Sequence, residues 1–114
     1  ILDYYKDVYR IEKDKRIVKN SLNKMQNHCK KNQIRCILVY TPDIDLLKSG
    51  YEFTFIKNYI HNISKKNQME FLDVTDSIKN KINLKLTNTE YKDRHPNSTG
   101  HDIIGKAIYK YLIN

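Results

Sequence analysis

The sequence has no long apolar run, and this absence excludes one class of protein. A membrane-spanning helix needs roughly 18 consecutive apolar residues, and no stretch of the 114 residues approaches that length. Hydrophobic residues make up 39% of the chain and charged residues 30%, which is typical of one small globular domain. We therefore expect no membrane span and a single domain over residues 1–114, with residues 1–13 as a lead-in helix or extension.

The chain also lacks any run of five or six like charges, although its formal net charge is +8. A strongly basic protein raises nucleic acid or an acidic polymer as a partner. Here the basic residues are spread along the whole chain, with Lys30-Lys31 and Lys65-Lys66 as the densest pairs. This spread favours a solvated basic surface over a nucleic-acid interface. A non-enzymatic basic domain that binds nucleic acid or an acidic polymer remains the alternative interpretation.

Cysteine is scarce, and its spacing excludes the usual redox and metal motifs. The two cysteines, Cys29 and Cys36, form neither a CxxC pair nor a metal-ligand pattern. Two free thiols are the simplest interpretation, and one disulfide between them stays open because geometry decides it.

A signal peptide is not visible either. The chain begins Ile1-Leu2-Asp3, without Met and without a continuous apolar run. Such a start favours a fragment or a processed chain, and it leaves the compartment open between extracytoplasmic and cytoplasmic.

Apolar periodicity predicts the first two elements. Apolar residues recur at steps of three, four and seven, which predicts a helix whose secure part covers about residues 14–30; they are Tyr4, Val8, Ile11, Val18, Leu22, Met25 and Cys29. After a polar turn at 30–33, residues 34–40 are almost continuously apolar and rich in β-branched residues. This run predicts a strand buried on both faces, as in a central parallel strand.

The rest of the chain continues the alternation. After a loop through Gly50 we predict a helix with Phe53, Ile56, Tyr59, Ile60 and Ile63 on one face, a strand at 69–74, a short helix at 76–82 and a polar loop at 83–92. The last helix carries Ile103, Ile104, Ala107, Ile108, Tyr111 and Leu112 on one face. This order predicts an α/β fold with parallel strands. Because two strands alone leave edges unpaired, we expect upstream residues or a partner chain to complete the sheet.

The residues that carry chemistry lie just before the last helix. Pro96 biases His95 toward an extended backbone, and residues two apart in an extended segment project to one side. Asp93 and His95 are therefore expected to face each other, and a carboxylate beside an imidazole fixes its tautomer and stabilises its cation. A solvated pair of loop residues is the alternative. Asn97 is interpreted as a helix cap and Gly100 as a point of close approach to the loop.

The string Asp-Arg-His-Pro-Asn-Ser-Thr-Gly-His at 93–101, followed by an Ile- and Ala-rich helix, resembles the last conserved block of the SGNH (GDSL-like) hydrolase superfamily. The strand-Pro loop at 40–42 and the strand at 71–74 are also similar to the C-terminal half of that domain. The resemblance implies a partial flavodoxin-like three-layer (α/β/α) fold, of which this chain is the C-terminal half. It also implies an ester hydrolase or O-acyltransferase with a Ser-His-Asp triad, an acylated small molecule or carbohydrate as substrate, and no metal or cofactor.

By the same resemblance His95 is the general base and Asp93 its orienting partner. One residue separates them here, whereas many family members have two. The family's Gly-Asp-Ser nucleophile block and its oxyanion-hole residues have no match in the chain. We therefore expect this chain to supply only the Asp-His part of the site and to be inactive alone.

Overall fold

The structure is a computed structural model that describes residues 12–50, 54–88 and 93–114. The predicted lead-in, apart from Glu12 and Lys13, lies outside these residues. Along the chain the elements are α1 (Glu12–Lys31), β1 (Ile37–Tyr40), α2 (Ile44–Lys48), α3 (Thr54–Lys66), β2 (Glu70–Asp73), α4 (Thr75–Lys79) and α5 (Ser98–Ile113). None of these helices is long and apolar enough to cross a bilayer.

Among the described residues, β1 and β2 pair as parallel strands in a two-stranded sheet. The prediction of a mixed α/β fold with parallel strands is confirmed. The prediction of a strand buried on both faces is wrong, because every residue of β1 is only half-buried. Ile34, the first residue of the predicted strand, precedes β1 and is 52% exposed. In a two-stranded sheet each strand has a neighbouring strand on one side only, so its side chains contact fewer residues than those of a central strand do.

α1 extends the predicted helix at both ends, but its buried face differs by one position. Leu22 and Cys29 are buried as expected, whereas Met25 is 49% exposed. Gln26 is buried instead, and its Nε2 donates a hydrogen bond to the backbone oxygen of Gln68 at 3.3 Å. A polar residue at a buried position is not visible to a search for apolar periodicity, so the prediction selected the neighbouring Met.

α1 and α3 end in the same way. Each runs into the sequence Lys-Lys-Asn-Gln, and the Gln has a positive φ of 55° at Gln33 and 56° at Gln68. In both turns the residue after the Gln donates its backbone N–H five residues back, from Ile34 to Cys29 at 2.8 Å and from Met69 to Ser64 at 2.9 Å. This is the Schellman pattern, which satisfies carbonyl groups at a helix end.

The described residues divide into two compact units, the first from those up to 38 together with 55–71, the second from those within 39–54 and 72–114. The second unit has its own hydrophobic core, formed by Ile44, Leu47, Val74, Ile78 and Leu86. Two segments that were predicted as loops contribute to it. α2 places two of these residues in the core, and Leu86, in the predicted polar loop, is fully buried.

α5 packs against the core of the second unit through Ile103, Ile104 and Ala107. These residues belong to the predicted apolar face. Leu112, at the far end of the same predicted face, is 48% exposed. The helix is therefore anchored to the core through its central residues 103–107.

Candidate active site

Asp93 and His95 form a hydrogen-bonded pair. The Oδ1 atom of Asp93 lies 2.5 Å from Nδ1 of the His95 ring, and it also accepts the backbone N–H of His95 at 2.9 Å. An ionised carboxylate can only accept, so the ring proton resides on Nδ1 and Nε2 is left as the proton acceptor. The His95 side chain is 87% exposed. The pair thus has the tautomer that a general base requires.

An antiparallel bridge holds this segment in an extended form. Thr87 and Pro96 are the bridge partners. On either side of them, Asn88 N–H donates to the His95 carbonyl at 3.1 Å, and Asn97 N–H donates to the Leu86 carbonyl at 2.8 Å. Because Leu86 is buried in the core of the second unit, the backbone next to His95 is tied to a fixed part of that unit.

Arg94 anchors the same segment through contacts with two acidic residues. Its Nη2 donates to Oδ1 of Asp43 at 2.9 Å, and its Nε lies 3.6 Å from Oδ2 of Asp45. Asp45 also accepts a hydrogen bond from the Thr87 hydroxyl at 3.0 Å. Both acids follow the carboxyl end of β1 in the sequence, so Arg94 ties the segment of Asp93 and His95 to the residues that come after this strand.

Asn97 and Gly100 have structural roles at the start of α5. The Asn97 side chain accepts the backbone N–H of Gly100 at 2.9 Å and donates to the Lys85 carbonyl at 2.9 Å. A Cβ atom on Gly100 would lie 2.4 Å from the carbonyl oxygen of Leu86. The first turn of α5 can approach the 84–88 segment this closely only because residue 100 has no side chain.

The electrostatics of the pair keep Asp93 ionised. The pKa of Asp93 is lowered, first by the hydrogen bond from the backbone N–H of His95 and then by the bond to its ring. Asn88 adds a weaker hydrogen bond to Oδ2 of Asp93 at 3.3 Å. A carboxylate that stays charged orients the imidazole and stabilises its cation.

Within the part of the chain that the structure describes, no serine side chain is hydrogen-bonded to the His95 ring. Within the described residues the only side-chain hydrogen-bond partner of the His95 ring is Asp93. Ser64 is buried in α3 and Ser49 follows α2, each with its hydroxyl bonded to a nearby backbone carbonyl. Ser21, Ser77 and Ser98 lie within helices. Over the same residues, no group of three His, Cys, Asp or Glu side chains could hold a metal ion.

The two cysteines lie close together, away from His95 in the sequence. Both thiols are free; Cys29 is buried and Cys36 is half-buried. Burial raises the pKa of Cys36, and a hydrogen bond with the Cys29 thiol raises it further. Both effects favour the protonated thiol, so Cys36 has the environment of a structural cysteine, not of a nucleophile.

Sequence reasoning missed the residues that position the pair. Arg94 was not singled out, although alternation in an extended segment places it opposite Asp93 and His95. Its contact with Asp43, fifty-one residues away, cannot be predicted from any local sequence pattern.

Comparisons of the chain with protein-family models, with curated proteins and with solved structures gave no match.

Proposed function

We propose that Asp93 and His95 are the orienting carboxylate and the general base of an SGNH-type ester hydrolase or O-acyltransferase site. The observation that carries the proposal is the contact of 2.5 Å between Asp93 Oδ1 and His95 Nδ1, which leaves Nε2 open on a largely exposed ring. In this role Nε2 accepts the proton of a serine hydroxyl as it attacks an acyl carbonyl, and returns it to the leaving alcohol.

The serine and the oxyanion donors of such a site come from outside this chain. They are supplied either by residues encoded upstream of Ile1 or by a partner chain, which also completes the sheet. The two-stranded sheet of the described residues supports this requirement, because a further strand beside β1 would pair backbone groups along its second edge. The completed unit is a three-layer flavodoxin-like domain in this proposal.

The substrate is an acyl ester, such as an acetylated small molecule or carbohydrate, and the chemistry needs no metal or cofactor. Arg94 acts as a positioning residue, since it contacts Asp43 and Asp45 and not the reacting atoms. Hydrolysis and transfer to a second alcohol use the same base, because His95 activates either water or an acceptor hydroxyl in the second step.

Turnover of p-nitrophenyl acetate tests the proposal. We expect no enzymatic turnover by the 114-residue chain alone, and turnover when the residues encoded upstream of Ile1 are present. In that longer protein His95→Gln is expected to lower kcat by about 10³-fold or more. The matched control is His101→Gln, a second exposed histidine six positions further on, in α5, which should leave kcat unchanged. Full turnover by the His95→Gln variant contradicts the proposal.

A further inference from the structure

A basic groove of about 860 Å³ lies in the first unit, lined by residues of α1 and α3 and by Asn67. Four of its lining side chains are cations, namely Lys15, Arg16, Lys19 and Lys66. None of the residues that line it in the described part of the chain is Asp or Glu. The described lining of the groove therefore carries four cationic side chains and no acidic one.

The helices that form this groove are held together by uncharged contacts. The Tyr59 hydroxyl donates to the Lys15 backbone carbonyl at 2.8 Å. Ile63, which also lines the groove, is buried. Lys15 and Lys19 are one helical turn apart on α1, where like charges repel. Packing thus places the cations of α1 in one groove with Lys66 of α3, and an anionic ligand stabilises such a grouping of like charges.

We propose that this groove binds a small ligand that carries two or more phosphate groups. Its volume lies in the range of roughly 300–1,000 Å³ typical of small-molecule sites, so one phosphate would contact only part of it. The guanidinium of Arg16 matches phosphate oxygens in a bidentate fork, and lysines supply point charges. The amides of Asn62 and Asn23 add neutral polar groups for ester oxygens or hydroxyls.

The groove suits a compact phosphate compound better than single-stranded nucleic acid. Strand binding combines basic side chains with aromatic rings on which bases stack. The one aromatic residue of the described lining is Tyr59, whose ring has the Lys15 ammonium 5.8 Å from its centroid. Its hydroxyl is also engaged. The proposal is independent of the ester site, since all groove residues belong to the first unit and the Asp93–His95 pair to the second.

Titration calorimetry with inorganic tripolyphosphate tests the proposal on the 114-residue chain. The groove variant Lys19→Gln/Lys66→Gln removes one cation from each helix and is expected to weaken binding by about tenfold to a hundredfold, as for two charge-assisted hydrogen bonds. The matched control Lys24→Gln/Lys65→Gln removes the same charge from exposed lysines of the same helices outside the groove. It should change the affinity by no more than about twofold, because distant surface charges are screened. Lys19→Arg/Lys66→Arg should retain binding.

Several outcomes would overturn the assignment. One is the absence of any binding heat with tripolyphosphate. Equal losses of tripolyphosphate affinity in the groove and control variants would show that net charge alone attracts the anion. Orthophosphate binding as tightly as tripolyphosphate would remove the requirement for two phosphates. Tighter, groove-dependent binding of a single-stranded oligonucleotide would assign the groove to nucleic acid.

Discussion

The Arg94 guanidinium donates a 2.9 Å hydrogen bond to the Asp43 carboxylate, and the same Asp43 oxygen accepts the backbone N–H of Leu46 to cap α2. One carboxylate therefore joins the start of a helix in the core to the segment that carries the candidate catalytic pair. The Asp43 and Arg94 side chains are 19% and 30% exposed, so water competes only partly for this contact.

Replacing Arg94 by Met tests the strength of this link. We expect the free energy of unfolding to fall by about 1–3 kcal/mol, because a half-buried carboxylate loses its charged partner. Urea denaturation measures the loss. The control is Lys106→Met, which removes the exposed ion pair with Asp102 on α5 and should cost no more than about 0.5 kcal/mol. Similar losses in both variants would mean that the Arg94 pair is an ordinary surface contact.

The two glycines of α5 are expected to respond to alanine with opposite signs. Gly100→Ala places a Cβ 2.4 Å from the Leu86 carbonyl oxygen, and the required shift should cost about 1–3 kcal/mol. Gly105→Ala meets nothing within 4 Å and should stabilise the helix by about 0.5–1 kcal/mol. Thermal denaturation of the two variants gives the comparison. A stabilised Gly100→Ala variant would contradict the close approach of α5 to the 84–88 segment.

The lowered pKa of Asp93 predicts a stabilising contribution that disappears in acid. A carboxyl whose folded pKa lies below its unfolded value, about 3.9, stabilises the fold fully above the unfolded pKa. The contribution is lost as pH falls through the folded pKa. A carbon-detected NMR titration should give Asp93 a pKa below the ordinary value.

His95→Gln separates the causes of this shift. The largest cause is the backbone N–H of residue 95, which the variant keeps, so most of the lowering should survive. Asp93→Asn should remove the acid-dependent component from the stability profile. An ordinary Asp93 pKa in the unmodified chain would contradict the hydrogen bonding described for the pair.

Cys36 is expected to be a slow target for alkylation. Because burial and the Cys29 thiol raise its pKa, little thiolate is present at neutral pH. Iodoacetamide labelling followed by mass spectrometry should show slow modification that accelerates only in alkali. Cys29→Ala removes one cause of the shift and should speed labelling of Cys36 at neutral pH. Fast labelling of the unmodified chain would contradict the raised pKa.

The turn after α1 offers a stabilising substitution. Gln33 has a φ of 55°, a conformation that glycine adopts without strain. Gln33→Gly should raise the free energy of unfolding by about 0.5–1 kcal/mol. Gln33→Val is the opposing variant and should lower it, because a β-branched residue is strained at positive φ. Chemical denaturation of both variants measures the difference, and a loss of stability with Gly would be contrary to this geometry.

Sequence patterns were sufficient for the larger elements. α1, α3 and α5 were predicted because each repeats apolar residues at the helical period, whereas β1 was predicted from an almost continuously apolar run and β2 from a short stretch after a polar turn. α2 has five residues, too few to show a helical period. Leu86 is a single buried residue in a polar stretch, and nothing local distinguishes it from the exposed Leu84.

In the candidate site, too, local features could be predicted from the sequence and contacts between distant residues could not. Pro96 and the two-residue spacing sufficed to predict that Asp93 faces His95, because these are local backbone effects. The contact of Arg94 with Asp43 depends on tertiary structure, so the spacing of residues in the sequence does not predict it. No nucleophile was predicted within the chain, because none of its serines lies in a tight turn from a predicted strand into a predicted helix.

Most of the framework of the Asp93–His95 pair lies in one short stretch, between Leu86 at the bridge and Gly100 in the first turn of α5. The geometry of the carboxylate–imidazole pair therefore depends on the cap and the bridge, and the pair can form whether or not a nucleophile is present beside it.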